Sequence, residues 1–480
     1  MSSAGEVPAS DSSGCTSSPG DGADRWVPWR VPRRGWVVAG SVPAAGASSS
    51  VGRGRAWLVW SAGLLVYVVA VAHRSSFGVA GLAAQSRFGV VATVLSLFVV
   101  SQLSVYAAAQ VPVGIALDRF GPRALLITGA VTMAVGQLGM TLSHEVSTAL
   151  AARVLIGAGD AMIFVSAVRL VAAWFPRRLV PLLTQLTGIV GQVGQIVSAI
   201  PFAFLLHRYG WEPAFGALAG LGGVGVVAAV LGVRDRPAGT SAPVSRSGAA
   251  AGLVPTLRAH GTWLGFWSHM LGGFSINVFG LMWGYPFLVQ GQGLTPTQAS
   301  SMLALNVLVA IVFGPLIGEF TARHPLRRSW AVLVVAGGVA AGWLLVLVPS
   351  TPRPLPVLIA FVVLISLGGP ASVIGLDFAA TSNPPERLGS AQGLANAGGF
   401  IAGVLVMLGV GMVLDARNPA GRYTLTDYRA GLTLVALPWA VSLVGVLVTR
   451  TRTRAEMAQR GVVVPPVRVA WARWRGSRRG

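Results

Sequence analysis

Long apolar stretches alternate with short polar segments between residues 56 and 449. An α-helix needs about 20 mostly apolar residues to cross the roughly 30 Å hydrocarbon core of a bilayer. The pattern predicts twelve membrane-spanning helices, at residues 56–78, 91–113, 123–143, 148–174, 181–206, 213–233, 262–288, 298–320, 329–349, 355–379, 388–413 and 430–449. We number these spans 1 to 12 in chain order, and they indicate an all-α membrane protein.

The segments outside the spans differ from them in composition. Residues 1–55 are rich in Ser, Gly, Pro and Arg, without a sustained apolar period or the pattern of a signal peptide, and predict a disordered cytoplasmic tail. Residues 234–261 are polar and basic and predict a cytoplasmic loop between two groups of six spans, 56–233 and 262–449. Residues 450–480 predict a basic cytoplasmic C-terminal tail.

Composition and charge agree with a membrane location. Hydrophobic residues make up 53% of the chain and charged residues only 11%, against about 25% in soluble domains. The 36 basic residues are all arginine, and the net charge is +21. Because they lie between apolar runs and not in one compact patch, we expect lipid head groups as partners and no nucleic acid.

The distribution of arginine predicts the orientation. If both termini are cytoplasmic, the cytoplasmic segments hold 27 arginines, the outer segments six and the spans three. Positive charge concentrates on the cytoplasmic side of membrane proteins, so we expect a multi-pass protein of the cell membrane with both termini inside. The three arginines within spans, Arg74, Arg153 and Arg169, each cost on the order of 3 kcal/mol or more to insert and therefore need a reason.

A short motif recurs after span 2 and after span 8. The first copy reads Gly114-Ile-Ala-Leu-Asp118-Arg119-Phe-Gly121-Pro-Arg123, and its first glycine and both arginines recur at an offset of 204 residues. The second copy has Ala322 and Pro325 where the acid and the second glycine would stand. A parallel repeat of six helices is the arrangement of major facilitator transporters.

The first copy resembles the loop 2–3 signature of the major facilitator superfamily. The resemblance covers residues 56–449 and implies two six-helix bundles, a monomer, and a conformational gate formed by residues of this loop. The gating residues that it implies are Gly114, Asp118, Arg119, Gly121 and Arg123.

Two further segments resemble patterns of this superfamily. In span 4, Arg153 is followed by Gly157, Gly159 and Ala161, with Asp160 at a position that is usually small. The span-5 glycines Gly188, Gly191 and Gly194, with Pro201, only partly resemble the Gly-Pro motif of drug and proton antiporters.

Arg74 is the main candidate for substrate binding. Its surroundings, Ala70-Val-Ala-His73-Arg74-Ser-Ser-Phe-Gly78, resemble the span-1 signature of organic-anion symporters and organophosphate antiporters, in which the arginine faces the central cavity. Those families often have an acid where this chain has His73. A guanidinium suits bidentate recognition of a carboxylate or phosphate. Alternatively, span 1 ends at residue 72 and Arg74 snorkels to the outer interface, or Arg74 forms a structural ion pair.

Asp160, with Arg153, is the candidate for proton coupling. A carboxylate among small apolar residues can gain and lose a proton as a cavity opens to either side. The alternative is a permanent ion pair with Arg153 or Arg74. Arg169, near the end of span 4, is predicted to serve an inner gate or to snorkel toward the cytoplasm.

The second half offers only weak candidates. The amides of Asn277, Asn306 and Asn396 lie within apolar spans and can bind substrate, although bonding between helices is the more frequent use of such residues. His269 and Asp377 rank below Arg74 and Asp160.

The leading hypothesis is therefore alternating-access transport of a small organic anion coupled to protons. The alternative is efflux of amphipathic drugs or metabolites by proton exchange, and remote alternatives are a membrane-embedded enzyme or a channel. Histidines are few and scattered, and no metalloprotease or serine-hydrolase motif occurs, so we predict no catalytic residue, metal site or cofactor.

Overall fold

The computed structural model describes residues 50–176, 179–237, 253–384, 388–459 and 461. Most of the predicted N-terminal tail, the centre of the predicted middle loop and most of the predicted C-terminal tail lie outside these residues. The short helix Leu253–Arg258 occupies part of the segment predicted as loop.

Eleven helices in the described residues are long and apolar enough to cross a membrane. They are Gly54–Phe88, Ala92–Gln110, Arg119–Leu142, Val146–Trp174, Leu186–Tyr209, Trp211–Gly232, Pro296–Arg323, Pro325–Leu347, Leu355–Ser382, Ala391–Arg417 and Leu425–Gln459, which are spans 1–6 and 8–12. Span 7 comprises the α-helix His260–Val278, a π-helical turn Phe279–Trp283, the turn Gly284–Pro286 and a second π-helical turn Phe287–Gly291. The predicted all-α fold of twelve spans in two six-helix bundles is thus confirmed.

Spans 2 and 3 are joined without a loop. One helical course runs from Ala92 to Leu142 and is broken at Gly121, whose φ of 80° and ψ of 166° are non-helical. A side chain other than glycine is strained at this positive φ, and Pro122 then supplies the fixed φ that begins the next helix. Gly121 therefore makes the turn between the two spans.

Span 1 is longer than the sequence predicts. It extends to Phe88 instead of residue 78, as the helices Ser50–Ser75 and Phe77–Phe88. The polar run after Ala72 does not end the span, because its hydroxyl groups bond within the helix: Ser75 Oγ donates to the Val71 carbonyl at 2.7 Å. The interpretation in which span 1 ends at residue 72 and Arg74 reaches the outer interface is wrong.

The two ends of the bundle are distinguished by their contacts. We call the end at which span 1 begins and span 12 ends the tail side, and the opposite end the far side. On the tail side, Arg450 Nε of span 12 donates to Ser329 Oγ at 2.9 Å, and its guanidinium stacks on Trp330 at 4.9 Å. Span 12 continues to Gln459, beyond its predicted end at residue 449.

The halves meet closely on the far side. His207 and Tyr285 are joined by a 2.6 Å hydrogen bond between their side chains, and Gln85 Nε2 donates to the Gly421 carbonyl at 3.1 Å. Glycines allow the backbones to approach there, since a Cβ at Gly78 would lie 2.6 Å from the carbonyl oxygen of Gly280. The far side is therefore closed in this conformation.

Candidate functional site

Small residues set the position of Asp160 at the centre of span 4. A Cβ at Gly157 would lie 2.3 Å from the Gln102 carbonyl oxygen of span 2, and one at Gly159 would lie 2.7 Å from the Gly129 carbonyl oxygen of span 3. Only glycine permits these two approaches. The glycines predicted from the span-4 pattern thus bring three helix backbones together around the carboxylate.

Arg74 and Asp160 form an ion pair inside the N-terminal half. Arg74 Nη1 lies 3.2 Å from Asp160 Oδ2 and 3.5 Å from Oδ1. The Asp160 side chain is 1% exposed and that of Arg74 is 12% exposed. Isolated charges at this depth would be costly, and each group offsets the cost of the other. The pair is therefore buried, and Arg74 is the more exposed of its two members.

Two tyrosines complete the surroundings of Arg74, and sequence reasoning missed both. Tyr67 and Tyr106 are buried and interact with the guanidinium, whose central carbon lies 5.9 Å from the centroid of the Tyr106 ring. Tyr106 also contacts Phe400 of span 11, with ring centroids 5.3 Å apart. The Arg74 site therefore lies next to a contact between the halves. Tyr67 precedes Arg74 by two helical turns, a spacing that could have revealed their shared face.

The span-5 glycines support span 1 beside this site. A Cβ at Gly191 would lie 2.0 Å from the Tyr67 ring, and one at Gly194 would lie 2.2 Å from the Val68 carbonyl oxygen. At Gly188 nothing lies within 4 Å. These contacts account for two of the three glycines through helix packing, without the Gly-Pro motif of drug antiporters.

Substitution at these glycines has an expected order of effects. Gly194→Ala should lower stability by about 1–3 kcal/mol, since the methyl group would overlap backbone atoms of span 1. Gly188→Ala adds the same methyl group to the same span where space is open and should leave stability unchanged. Thermal unfolding of the two purified variants tests this difference, and a Gly194→Ala protein as stable as the wild type would show that the span 1–5 contact is looser than described.

Arg153 is buried but does not pair with Asp160. Its Nε donates to the Phe98 carbonyl at 3.2 Å, and its guanidinium lies 5.0 Å from the Phe77 ring centroid. Its two terminal nitrogens have no hydrogen-bond partner among the described residues. Of the two ion pairs considered for Asp160, the structure has the one with Arg74. A role of Arg153 in proton coupling stays a prediction.

His73 turns away from the Arg74 site. Its Nε2 donates to the Leu218 carbonyl of span 6 at 2.8 Å, and a Cβ at Gly222 would lie 2.9 Å from its ring. His73 therefore links span 1 to span 6, and this contact explains a histidine at the position where related families often have an acid.

The junction between spans 2 and 3 is anchored by a residue that sequence reasoning missed. Asp235, after span 6, accepts a 2.8 Å hydrogen bond from the Arg123 backbone N–H, and a Cβ at Gly121 would lie 2.8 Å from its carboxylate. The run Arg234-Asp235-Arg236 was a visible signal for such an anchor. Arg119 is exposed and stacks on Phe120 at 5.2 Å, whereas a Cβ at Gly114 would meet nothing within 4 Å. The side chain of Asp118 lies outside the described residues.

The other predicted residues are not brought to the ion pair. Arg169 is exposed near the tail-side end of span 4. Asn306 is buried, and Asn277 and Asn396 are half-buried, on spans 8, 7 and 11. We find no hydrogen bond from these amides to Arg74 or Asp160 in the part of the chain that the structure describes.

His269 and Asp377, the two lower-ranked candidates of the second half, also lie away from the ion pair. His269 Nδ1 accepts a 3.3 Å hydrogen bond from the Gly399 backbone N–H, which links spans 7 and 11. Asp377 is exposed near the tail-side end of span 10.

Comparison with known proteins identifies the family to which this architecture belongs. The sequence pattern of the Major Facilitator Superfamily matches residues 63–407. The probable galactarate/D-glucarate transporter of Escherichia coli (strain K12) is 22% identical over 345 residues, which are 64% of this chain and 76% of that protein. The probable sulfoacetate transporter of Cupriavidus necator is 23% identical over 304 residues, which are 60% of this chain and 70% of that protein.

Solved structures show the same fold at low sequence identity. A bacterial homolog of the human lysosomal transporter Spinster, in an inward-facing and unoccupied conformation, has a TM-score of 0.63 at 15% identity, covering 85% of this chain and 98% of that one. A D-xylose-proton symporter has a TM-score of 0.60 at 15% identity, covering 81% and 97%. The family and these relatives are transporters and not enzymes, as predicted. The chain belongs to the major facilitator superfamily.

Proposed function

We propose that this protein moves a small organic anion across the cell membrane together with protons, by alternating access. The observation that carries the proposal is the buried pair of Arg74 and Asp160, beside the contact of Tyr106 with Phe400 between the halves. The named substrates of the relatives, galactarate, D-glucarate and sulfoacetate, are organic acids. This supports an organic acid as the substrate class here.

Charge balance at the pair couples the anion to a proton. The pair of Arg74 and Asp160 is neutral as it stands. If the anion alone bound to Arg74, the site would hold a net negative charge, and if a proton alone bound to Asp160, it would hold a net positive charge. Both states are costly in a buried site, whereas a proton and a monoanion together restore neutrality. A monoanion, or one carboxylate of a larger acid, therefore binds to the pair together with one proton.

The closed far side fits one state of the transport cycle. The hydrogen bonds of His207 with Tyr285 and of Gln85 with Gly421 hold the halves together there. The arginine distribution supports a cytoplasmic tail side, so the side that is closed in this conformation is the outer one. In alternating access, rocking of the two bundles then exposes a site near the membrane midplane to either side in turn.

A panel of ligands tests the substrate class. We expect mono- and dicarboxylic sugar acids or small sulfonates to raise the melting temperature of the purified protein, because a ligand that binds only the folded state stabilises it in proportion to occupancy. Cationic and neutral amphiphiles should not do so. If only those amphiphiles stabilise the protein, drug efflux becomes the better account.

A further inference from the structure

The N-terminus of span 2 is capped by a residue of the other half. The first N–H groups of a helix have no acceptor within the helix, and Val91, which precedes Ala92, offers no side-chain cap. Instead, Asp415 of span 11 accepts both groups: its Oδ1 lies 2.8 Å from Ala92 N, and its Oδ2 lies 2.8 Å from Thr93 N. A carboxylate at a helix N-terminus also interacts favourably with the helix dipole.

Tyr423 holds this carboxylate in place. Its hydroxyl donates to Asp415 Oδ1 at 2.6 Å and accepts a hydrogen bond from Ala92 N at 2.9 Å. The tyrosine is 6% exposed, so these bonds are largely shielded from water. Hydrogen bonds to a charged acceptor are roughly twice as strong as neutral ones.

Close backbone packing surrounds the cap. A Cβ at Gly411 would lie 2.7 Å from the Ala92 carbonyl oxygen and 2.4 Å from Ser96 Oγ. Ser96 Oγ in turn donates to the Met407 carbonyl at 3.1 Å. Two turns of span 11 therefore lie directly on the first turn of span 2. The two cannot separate without breaking the hydrogen bonds that Ala92, Thr93 and Ser96 donate to the other half.

We propose that Asp415, positioned by Tyr423, is a latch that holds the far side closed. The inference rests on the alternating access of the proposed function. When the bundles rock, the far-side end of span 11 moves away from span 2, and the two backbone N–H groups exchange the carboxylate for water. The latch acts on the equilibrium between far-closed and far-open states and does not touch the Arg74 site.

Distance measurements between spin labels test the latch without any substrate. In a Cys15→Ser background, cysteines at the exposed far-side positions Ser147 and Thr351 carry one label on each half. Wild-type protein should give mainly the short distance of the closed far side. Asp415→Asn keeps one acceptor oxygen but removes the charge, and should raise the ratio of far-open to far-closed protein about tenfold, which corresponds to ~1.4 kcal/mol.

Asp427 supplies a matched control from the same end of the same half. Its carboxylate accepts hydrogen bonds from Thr424 N at 3.0 Å, Thr424 Oγ1 at 2.8 Å and Arg417 Nε at 3.0 Å, all within the C-terminal half. Asp427→Asn should therefore leave the distance between the labels unchanged. Tyr423→Phe should shift it in the same direction as Asp415→Asn, by a smaller amount.

Two results would overturn the latch. One is a folded Asp415→Asn protein with the wild-type distance distribution. The other is an equal shift in Asp427→Asn, which would indicate general loosening of the far side. Because no ligand is used, either result leaves the substrate proposal to be decided separately by the ligand panel.

Discussion

Arg74→Gln is expected to abolish binding and transport of the organic anion and to destabilise the protein. The substitution removes the cation that we propose to bind the substrate, and it leaves the 1% exposed Asp160 without its charge partner. Breaking a buried ion pair from one side costs about 3–5 kcal/mol, because the remaining charge is buried and uncompensated. Anion-dependent stabilisation, uptake into proteoliposomes and the free energy of unfolding would measure the three effects.

A double variant separates folding from function in this experiment. Arg74→Gln combined with Asp160→Asn has no uncompensated charge and should regain most of the lost stability, yet it should still not bind the anion. Arg87→Gln is the matched control, since Arg87 lies on the same span and pairs with Glu212 at 3.2 Å on the far side. It should retain binding. If the stable double variant binds the anion normally, Arg74 is structural.

Asp160→Asn is expected to uncouple the anion from the proton. The asparagine is neutral at all pH values, so Arg74 stays available to the anion without proton uptake. In wild-type protein, binding takes up one proton wherever the unbound site is deprotonated, and the apparent affinity should fall about tenfold for each rise of one pH unit. In the variant that slope should be near zero. Titration calorimetry between pH 5 and about pH 9 measures both slopes.

The groups around the carboxylate define what else contributes to this slope. Arg74, Arg153, Tyr67 and Tyr106 all act on Asp160 electrostatically. In water, tyrosine titrates at about pH 10, above the range of this experiment. Asp377→Asn, at an exposed carboxylate of span 10, should keep the wild-type slope. A steep slope in Asp160→Asn would place the coupling proton on another group.

The fold was predictable because it depends on many residues together. Apolar stretches of span length recur throughout the chain, and the errors occur where polar groups find partners inside the protein. The polar run around Arg74 looks like the end of a span, and only tertiary structure supplies Asp160 as its partner. Burial of a charged pair from distant positions has no local sequence signature.

The candidate site was predictable in part. Arg74 and Asp160 stood out because charges within spans are rare. Their pairing was one of several open alternatives, and the flanking Tyr67 and Tyr106 were not found, because a buried tyrosine in an apolar span resembles ordinary core. Asp415 was missed for a different reason. Its carboxylate oxygens accept hydrogen bonds from backbone N–H groups of another span, and almost any residue at those positions would provide such a group.

Coupled movement of protons and anion is the most direct test of this account. Wild-type protein in proteoliposomes with an internal pH-sensitive dye would be given an inward gradient of the stabilising organic anion, with no initial pH difference. We predict that the interior acidifies as the anion enters, and that Asp160→Asn carries the anion inward without acidification. Entry of the anion through wild-type protein with no change in internal pH would contradict proton coupling at the Arg74–Asp160 pair.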